Sequence, residues 1–428
     1  MKTDPELKSE SETPGPVVTG DVIGDTAYSE RFVLKILLKL ANLDSLKDEL
    51  NEKAFEDDIC TLWDMTVERD VVLFLLKHKV LNLFNFALPT IETPRYIEIF
   101  VGIIGNMCCQ KEAVNTLIKM DEFLNLLLDY IKTDDSLILI QLLRLVSSAL
   151  PSMNSEDIAI WLNMFNKVGY SEALYYILKN SSNKQLLVTA LENLNTICSY
   201  CNIQKYRNQY FEHFVCKEAL TSMTTAFTEL SITQKESLSK DELERIMIIS
   251  LQMTLDMVSF EKPTEIFDDC NENVGTIIST ILGYYEAKLV QEKEIDSDLV
   301  DLLECINNII RIIPISQECE PDKYFNTCYS MWKALKSITN VNQNGDSNFE
   351  EVDKEEFQEF VKNMKPSLSV VMCKYMQECS QEHLFNVLDK IGNDNEDILM
   401  SLTDMDMKVA VSKRIFDYKT RLNENFDS

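Results

Sequence analysis

Residues Thr93 to Cys109 read TPRYIEIFVGIIGNMCC, and this stretch decides what kind of protein the chain is. Pro94 suits the first position of a helix, where its missing N–H forfeits no hydrogen bond, and Thr93 stands where a cap belongs. Ile97, Phe100, Val101, Ile104, Met107 and Cys108 recur at steps of three and four, which marks one apolar helix face. Gly102 and Gly105 project from a neighbouring strip, where a missing side chain lets another helix approach. Asn106 lies about 200° from Ile104 at ~100° per residue, so its amide is expected to point away from the apolar stripe.

A packed helix with a lone amide on its outer side has the pattern of the innermost helix of an armadillo repeat. Two later segments share it: LVTALENLNTIC (187–198), with Asn193, and LLECINNIIRII (302–313), with Asn308. The first interval, 87 residues between Asn106 and Asn193, is two units of ~43, within the armadillo range. The second, 115 residues, does not divide that way. Only 10 Gly and 10 Pro occur, which leaves room for long helices and few breaks. Period-two alternation is nearly absent. The pattern predicts an all-α armadillo/HEAT-like solenoid of stacked helices, with a disordered N-terminal tail. Helices are expected over 94–109, 121–132, 135–150, 155–168, 171–180, 183–200, 210–230, 240–260, 271–290 and 297–313. Ser239 and Glu242 have capping-box spacing. The expected organisation is a disordered acidic tail over 1–20, an armadillo-like domain over 21–314, and a C-terminal helical cap over 315–428. That cap is expected to hold a helix over 321–339, an acidic loop at about 340–356, and then helices from Pro366 to Ile391 and from about Asp404 to Leu422.

The net charge is −29, from 70 acidic and 41 basic residues. That sign opposes phosphate backbones and anionic membranes, and it attracts basic protein surfaces. The first residues, MKTDPELKSESETPGP, do not read as a secretory signal, and the 12 cysteines fall mostly on apolar helix faces, the usage of a reduced intracellular protein. No uncharged apolar run approaches the ~18 residues of a membrane span.

Little in the chain suggests catalysis. His78, His213 and His383 are far apart and show no ligand or triad spacing, so no enzyme activity, cofactor or metal is expected. Cys198-Ser-Tyr-Cys201 has CxxC spacing, but it closes a helix where a redox motif would open one. Residues 340–351, NVNQNGDSNFEE, set Asn340, Asn342 and Asn344 at positions 1, 3 and 5, Gly345 at 6 and Glu351 at 12 of an EF-hand-like loop. A calcium-responsive regulator using that degenerate loop is the alternative function. The leading reading is a non-enzymatic scaffold that binds a protein or peptide, basic in part, along a groove. Its candidate residues are Arg95, Glu98, Gly102, Asn106, Asn193 and Asn308. Asn308 shares its helix face with Asp301, Glu304 and Arg311.

Three stretches, GDVIGDTAYS (20–29), DICTLWDM with DVVLFL (58–65 and 70–75) and PRYIEIFVGIIGNMCC (94–109), resemble the serum-amyloid-A-like protein family. That family is unrelated to the small secreted apolipoprotein whose name it carries. The resemblance implies an armadillo-type, non-enzymatic protein of the nucleus or cytoplasm that supports cell proliferation. It brings no established catalytic or binding residues.

Overall fold

The computed structural model describes residues 21–260, 263–292, 294–313, 322–344 and 354–426. Among these the chain is helical throughout; the only strand-like pairing is an isolated bridge between Val22 and Ser29. No single described helix is long and apolar enough to cross a membrane. The chain divides into two compact units at Asp157–Ile158, not near Pro314 as expected from the sequence.

In the first unit three longer helices pack in succession: α1 (Lys53–Met65), α2 (Pro94–Met107) and α3 (Ser136–Ala149). They begin 41 and 42 residues apart, close to the repeat inferred from the Asn spacing. Two short helices precede α2, Arg69–Lys77 and Val80–Ala87, and two precede α3, Lys111–Leu117 and Asp121–Asp129. This short–short–long unit is an armadillo repeat. Each turn exists because apolar residues at three- and four-residue steps have neighbours on both sides, and helices this short do not persist alone in water. Phe55, Ile59, Leu62 and Met65 of α1 are fully buried, as are Ile99, Phe100, Ile103, Ile104 and Met107 of α2.

The second unit builds two rows. One is α4 (Tyr170–Asn180), α6 (Lys217–Thr228), α8 (Asn271–Glu286) and α10 (Asp322–Asn344); the other is α5 (Lys184–Cys201), α7 (Lys240–Val258), α9 (Asp298–Ile312) and α11 (Lys354–Glu378). Helices of the second row begin 56, 58 and 56 residues apart. The awkward 115-residue interval is therefore two of these longer units. Part of the extra length is π-helical turns, Glu229–Thr233 after α6 and Ala287–Gln291 after α8. The helices Gln381–Ile391, Asp394–Met400 and α12 (Met405–Phe426) follow α11.

The Ser239/Glu242 capping box forms, with both reciprocal bonds present. Thr93 takes the extended cap conformation ahead of Pro94, but its hydroxyl makes no capping bond. The helix expected over 210–230 is two: Arg207–Phe214 ends at an extended Cys216 before α6 begins. The break lets Tyr210 and Phe214 stack in the core, rings 6.0 Å apart, while α6 buries Leu220, Met223 and Phe227. Pro366 lies inside α11 and does not start it. It forfeits one backbone bond there, and burial of Met364, Leu368, Val371 and Met372 around it holds the helix together.

Candidate partner-binding faces

The first candidate face runs along α2 through Arg95, Glu98, Gly102 and Asn106, one side of a helix at steps of three and four. The structure closes it. A Cβ at Gly102 would overlap the Trp63 indole, so α1 lies directly on this strip. The Asn106 amide donates to Thr66 Oγ1 at 3.1 Å and to Trp63 O at 3.4 Å, both at the C-terminal end of α1, where carbonyls lack helical partners. Glu98 is buried and accepts from Arg95 Nη1 at 2.7 Å. Arg95 also reaches Glu56 Oε1 at 3.5 Å. Gly102, Asn106 and Glu98 are therefore a packing seam, and only Arg95 keeps substantial exposure. On the other side of α2, Gly105 admits the backbone of α3: a Cβ there would sit 3.4 Å from Leu145 Cα.

The stretches that carry the family resemblance meet at this seam. Trp63 of DICTLWDM covers Gly102 of the third stretch, and Cys60 takes a 3.5 Å contact from Arg95. The first stretch adds its own join. Asp25 N donates to Asp70 Oδ2 at 2.9 Å, and Gly24, at φ 52°, leaves no room for a side chain against the same carboxylate. Asp21 accepts from the Ser29 hydroxyl and the Arg31 N–H.

In the second unit Asn193 is fully buried and accepts from the Tyr170 hydroxyl at 3.0 Å, so it ties α5 to α4 and lines no groove. Its helix turns Glu192 outward instead. Asn308 does reach the surface, half-buried between exposed Asp301, Glu304 and Arg311. Its neighbour Asn307 is the buried amide, donating to Ser367 O at 3.2 Å.

Around Asn308 an open face crosses three helices. On α7, Arg245, Ile248, Gln252 and Asp256 stand at steps of three and four. Arg245 Nη2 reaches back to Glu192 Oε1 of α5 at 2.9 Å. Gln252 Nε2 donates to Asp256 Oδ1 at 3.1 Å, and among the described residues no cation pairs with that carboxylate. Burial pushes the Asp256 carboxyl above the usual carboxylate range. On α9, Cys305 leans on Leu251 O, and burial pushes its thiol up to about 12. The face thus carries Glu192, Asp256, Asp301 and Glu304 against Arg245 and Arg311.

One charged cluster in this unit is neutralised internally. Lys288, in the π turn after α8, is buried and reaches Glu244 at 2.8 Å, Glu294 at 3.4 Å, and Asp296. Burial pulls this lysine down, but Asp296 and Glu244 more than offset it and hold it above the usual lysine range.

Among the described residues no group of three or more His, Cys, Asp or Glu could hold a metal ion. Burial pushes the Cys198 thiol up to about 12 and raises Cys201 as well, the reverse of what a reactive CxxC requires. In the calcium-loop reading, Asn340, Asn342 and Asn344 continue helix α10, where an EF-hand loop would need turns, and Glu351 lies outside the described residues.

Human protein SAAL1 is 30% identical over 185 residues, 40% of this chain and 38% of its own length. The Mus musculus protein is 29% identical over 181 residues, and the Xenopus tropicalis one 30% over 213, 46% of this chain and 44% of its own. These relatives are serum-amyloid-A-like proteins. The family suspected from the three stretches is the one the curated relatives carry, and the secreted apolipoprotein is not among them. The chain spans about two fifths of the length of the curated relatives it matches. No protein-family model matches the chain. An engineered protein of known crystal structure aligns over 65% of this chain and 96% of its own at TM-score 0.41 and 14% identity, and the fold rests on the helices themselves. A helical-repeat fold and SAAL1 relatives fit a protein-interaction scaffold.

Proposed function

We propose that the protein is an interaction scaffold that binds an extended, partly basic segment of another protein across the open face of α7 and α9. The observation that carries this reading is Asp256, a half-buried carboxylate raised by burial and paired with no cation among the described residues, on one face with Asp301 and Glu304. A lysine or arginine from a partner would supply the missing counter-charge, and an acidic field would speed its arrival. Asn308 and Gln252 offer amides to a bound backbone, and exposed Ile248 offers apolar contact. The nucleus or cytoplasm as the site of action, and support of cell proliferation, follow from the family resemblance and belong to this proposal.

The test is a fluorescence-anisotropy titration of the full chain with a labelled octapeptide of alternating serine and arginine, at low and moderate salt. Asp256→Asn with Glu304→Gln should weaken binding about tenfold, and salt should weaken the wild type. Arg95→Ala with Asn106→Ala should leave affinity unchanged. Salt-independent binding, or loss in the second variant and not the first, overturns the assignment.

A further inference from the structure

Helix α12 is fastened to α11 by one arginine. Arg414 Nη1 donates to Met376 O and Gln377 O at 2.6 and 2.7 Å, and Nη2 to Cys379 O at 2.7 Å, capping the C-terminal end of α11. Met407, Val411, Ile415 and Tyr418 are buried on the same side, and the Tyr418 ring lies 4.8 Å from that of Phe385. The orientation of α12 is thereby settled, and so is the side it turns outward.

That outward side carries three large apolar side chains, with only Ser412 and Thr420 between and beyond them. Met405, Val409 and Phe416 stand at steps of four and seven, hence on one line, and are 65%, 64% and 69% exposed. Surface helices place polar residues there, and the end of a repeat stack is normally polar outward. Three aligned side chains this exposed on one helix mark a surface that something covers. Among the described residues nothing does. The rim supplies the second clue. By helical position Lys408 and Lys419 border the stripe on one side and Lys413 with Asp406 on the other, with Asp417 farther round. Lys419 has one distant partner, Glu396 at 3.8 Å. A lysine-rimmed stripe in a chain of net charge −29 is the reverse of the α7–α9 face.

We propose that this stripe is a second docking surface, and that it takes an acidic amphipathic helix of a partner protein. Apolar residues at helical spacing would cover Met405, Val409 and Phe416, and flanking carboxylates would meet the lysines. A second copy of this chain fits less well. Pairing the stripe with itself sets lysine rim against lysine rim and brings together two bodies of −29. Two faces of opposite sign allow the scaffold to hold two unlike partners at once.

The experiment uses the full chain and a labelled 18-residue peptide with leucines at helical spacing and glutamates flanking them, beside a scrambled peptide of the same composition. Saturable binding of the patterned peptide is expected, with the scrambled one at least about tenfold weaker. Val409→Ser with Phe416→Ser should cost about tenfold or more, with helicity by circular dichroism unchanged because both side chains lie in solvent. Lys408→Glu with Lys413→Glu should lose the acidic peptide and gain a lysine-flanked version of it. Asp256→Asn with Glu304→Gln should change nothing, which separates this face from the first. Equal binding of both peptides, or no binding, overturns the proposal. So does concentration-dependent dimerisation in sedimentation velocity that Phe416→Ser abolishes, because a second copy would then be the occupant.

Discussion

Helices α2 and α7 hold the same rank in their units, each with a long helix packed on either side along the row, yet they use one face in opposite ways. On α2 that face carries Gly102 and Asn106, and α1 closes over it with Trp63. On α7 it carries Arg245, Ile248, Gln252 and Asp256, and among the described residues no helix covers it. The difference teaches how to read an amide on a repeat helix. A glycine four residues before an asparagine makes a strip too thin to stay exposed, and the amide then bonds the neighbouring helix end. Longer side chains hold the neighbour off, and a carboxylate among them is left half-desolvated. The units also secure themselves differently: the first by a glycine and an amide, the second by Lys288 among three carboxylates.

The ionic cluster gives the largest expected effect. Lys288→Met removes the cation that bridges Glu244 and Asp296, both mostly buried, and should destabilise the protein by about 3–5 kcal/mol in urea denaturation. Because this lysine is held above its unfolded value, its contribution is complete below the unfolded lysine range and is lost as pH rises through the folded value. The gap between variant and wild type should narrow at strongly alkaline pH. A variant as stable as the wild type at pH 7 would reduce the cluster to decoration.

Gly102→Ala tests the other closure. Its methyl meets the Trp63 indole, and the expected cost is about 1–3 kcal/mol. In a Trp63→Ala background the same change should cost less than about 0.5 kcal/mol, since the obstructing ring is gone. An undiminished penalty would mean that the clash lies elsewhere. Asn106→Ala comes next. It deletes the donor to Thr66 and Trp63, for about 1 kcal/mol, with no loss of the arginine peptide. Lost binding at unchanged stability would return α2 to the role of a groove helix.

Much of this was legible in the chain. The 3.6-residue periodicity specified the helices, the scarcity of Gly and Pro their continuity, and Ser239 with Glu242 one start to the residue. Gly105 was read correctly as a point of close approach. The face of each asparagine was not so readable. Asn106 does turn from the apolar stripe, but angle about one axis cannot tell solvent from a neighbouring helix; Trp63, 39 residues before Gly102, was the missing fact. Asn193 and Asn308 occupy similar strings, yet Tyr170 lies over one, while the other is half-buried among exposed Asp301, Glu304 and Arg311. Asp256 carried no signal of its own. Its state depends on burial supplied by helices tens of residues away.

Asp256 also gives the smallest effect and the one that best separates the two faces. Its carboxyl is raised by burial, so the native state favours the protonated form. That preference stabilises the fold fully below the unfolded carboxylate range and is lost as pH rises through the folded value. At neutral pH the protein therefore holds an ionised group it would sooner neutralise. Asp256→Asn keeps the Gln252 contact without the charge and should raise stability at pH 7 by less than about 1 kcal/mol, because the group is half in water. The advantage should vanish on acidification, when the wild-type carboxyl is protonated as well. The arginine peptide should reverse the order, since it stabilises the ionised form: it should bind the wild type more tightly as pH rises through this range, and Asp256→Asn without that dependence. A functional surface differs from a seam in this respect. At Asn106 the substitution should cost stability and leave binding unchanged, whereas at Asp256 the substitution that strengthens the fold should weaken the binding. Paired melting and anisotropy titrations of Asp256→Asn from pH 4 to 8 measure both, and a fall in stability at neutral pH would place Asp256 in the framework of the fold.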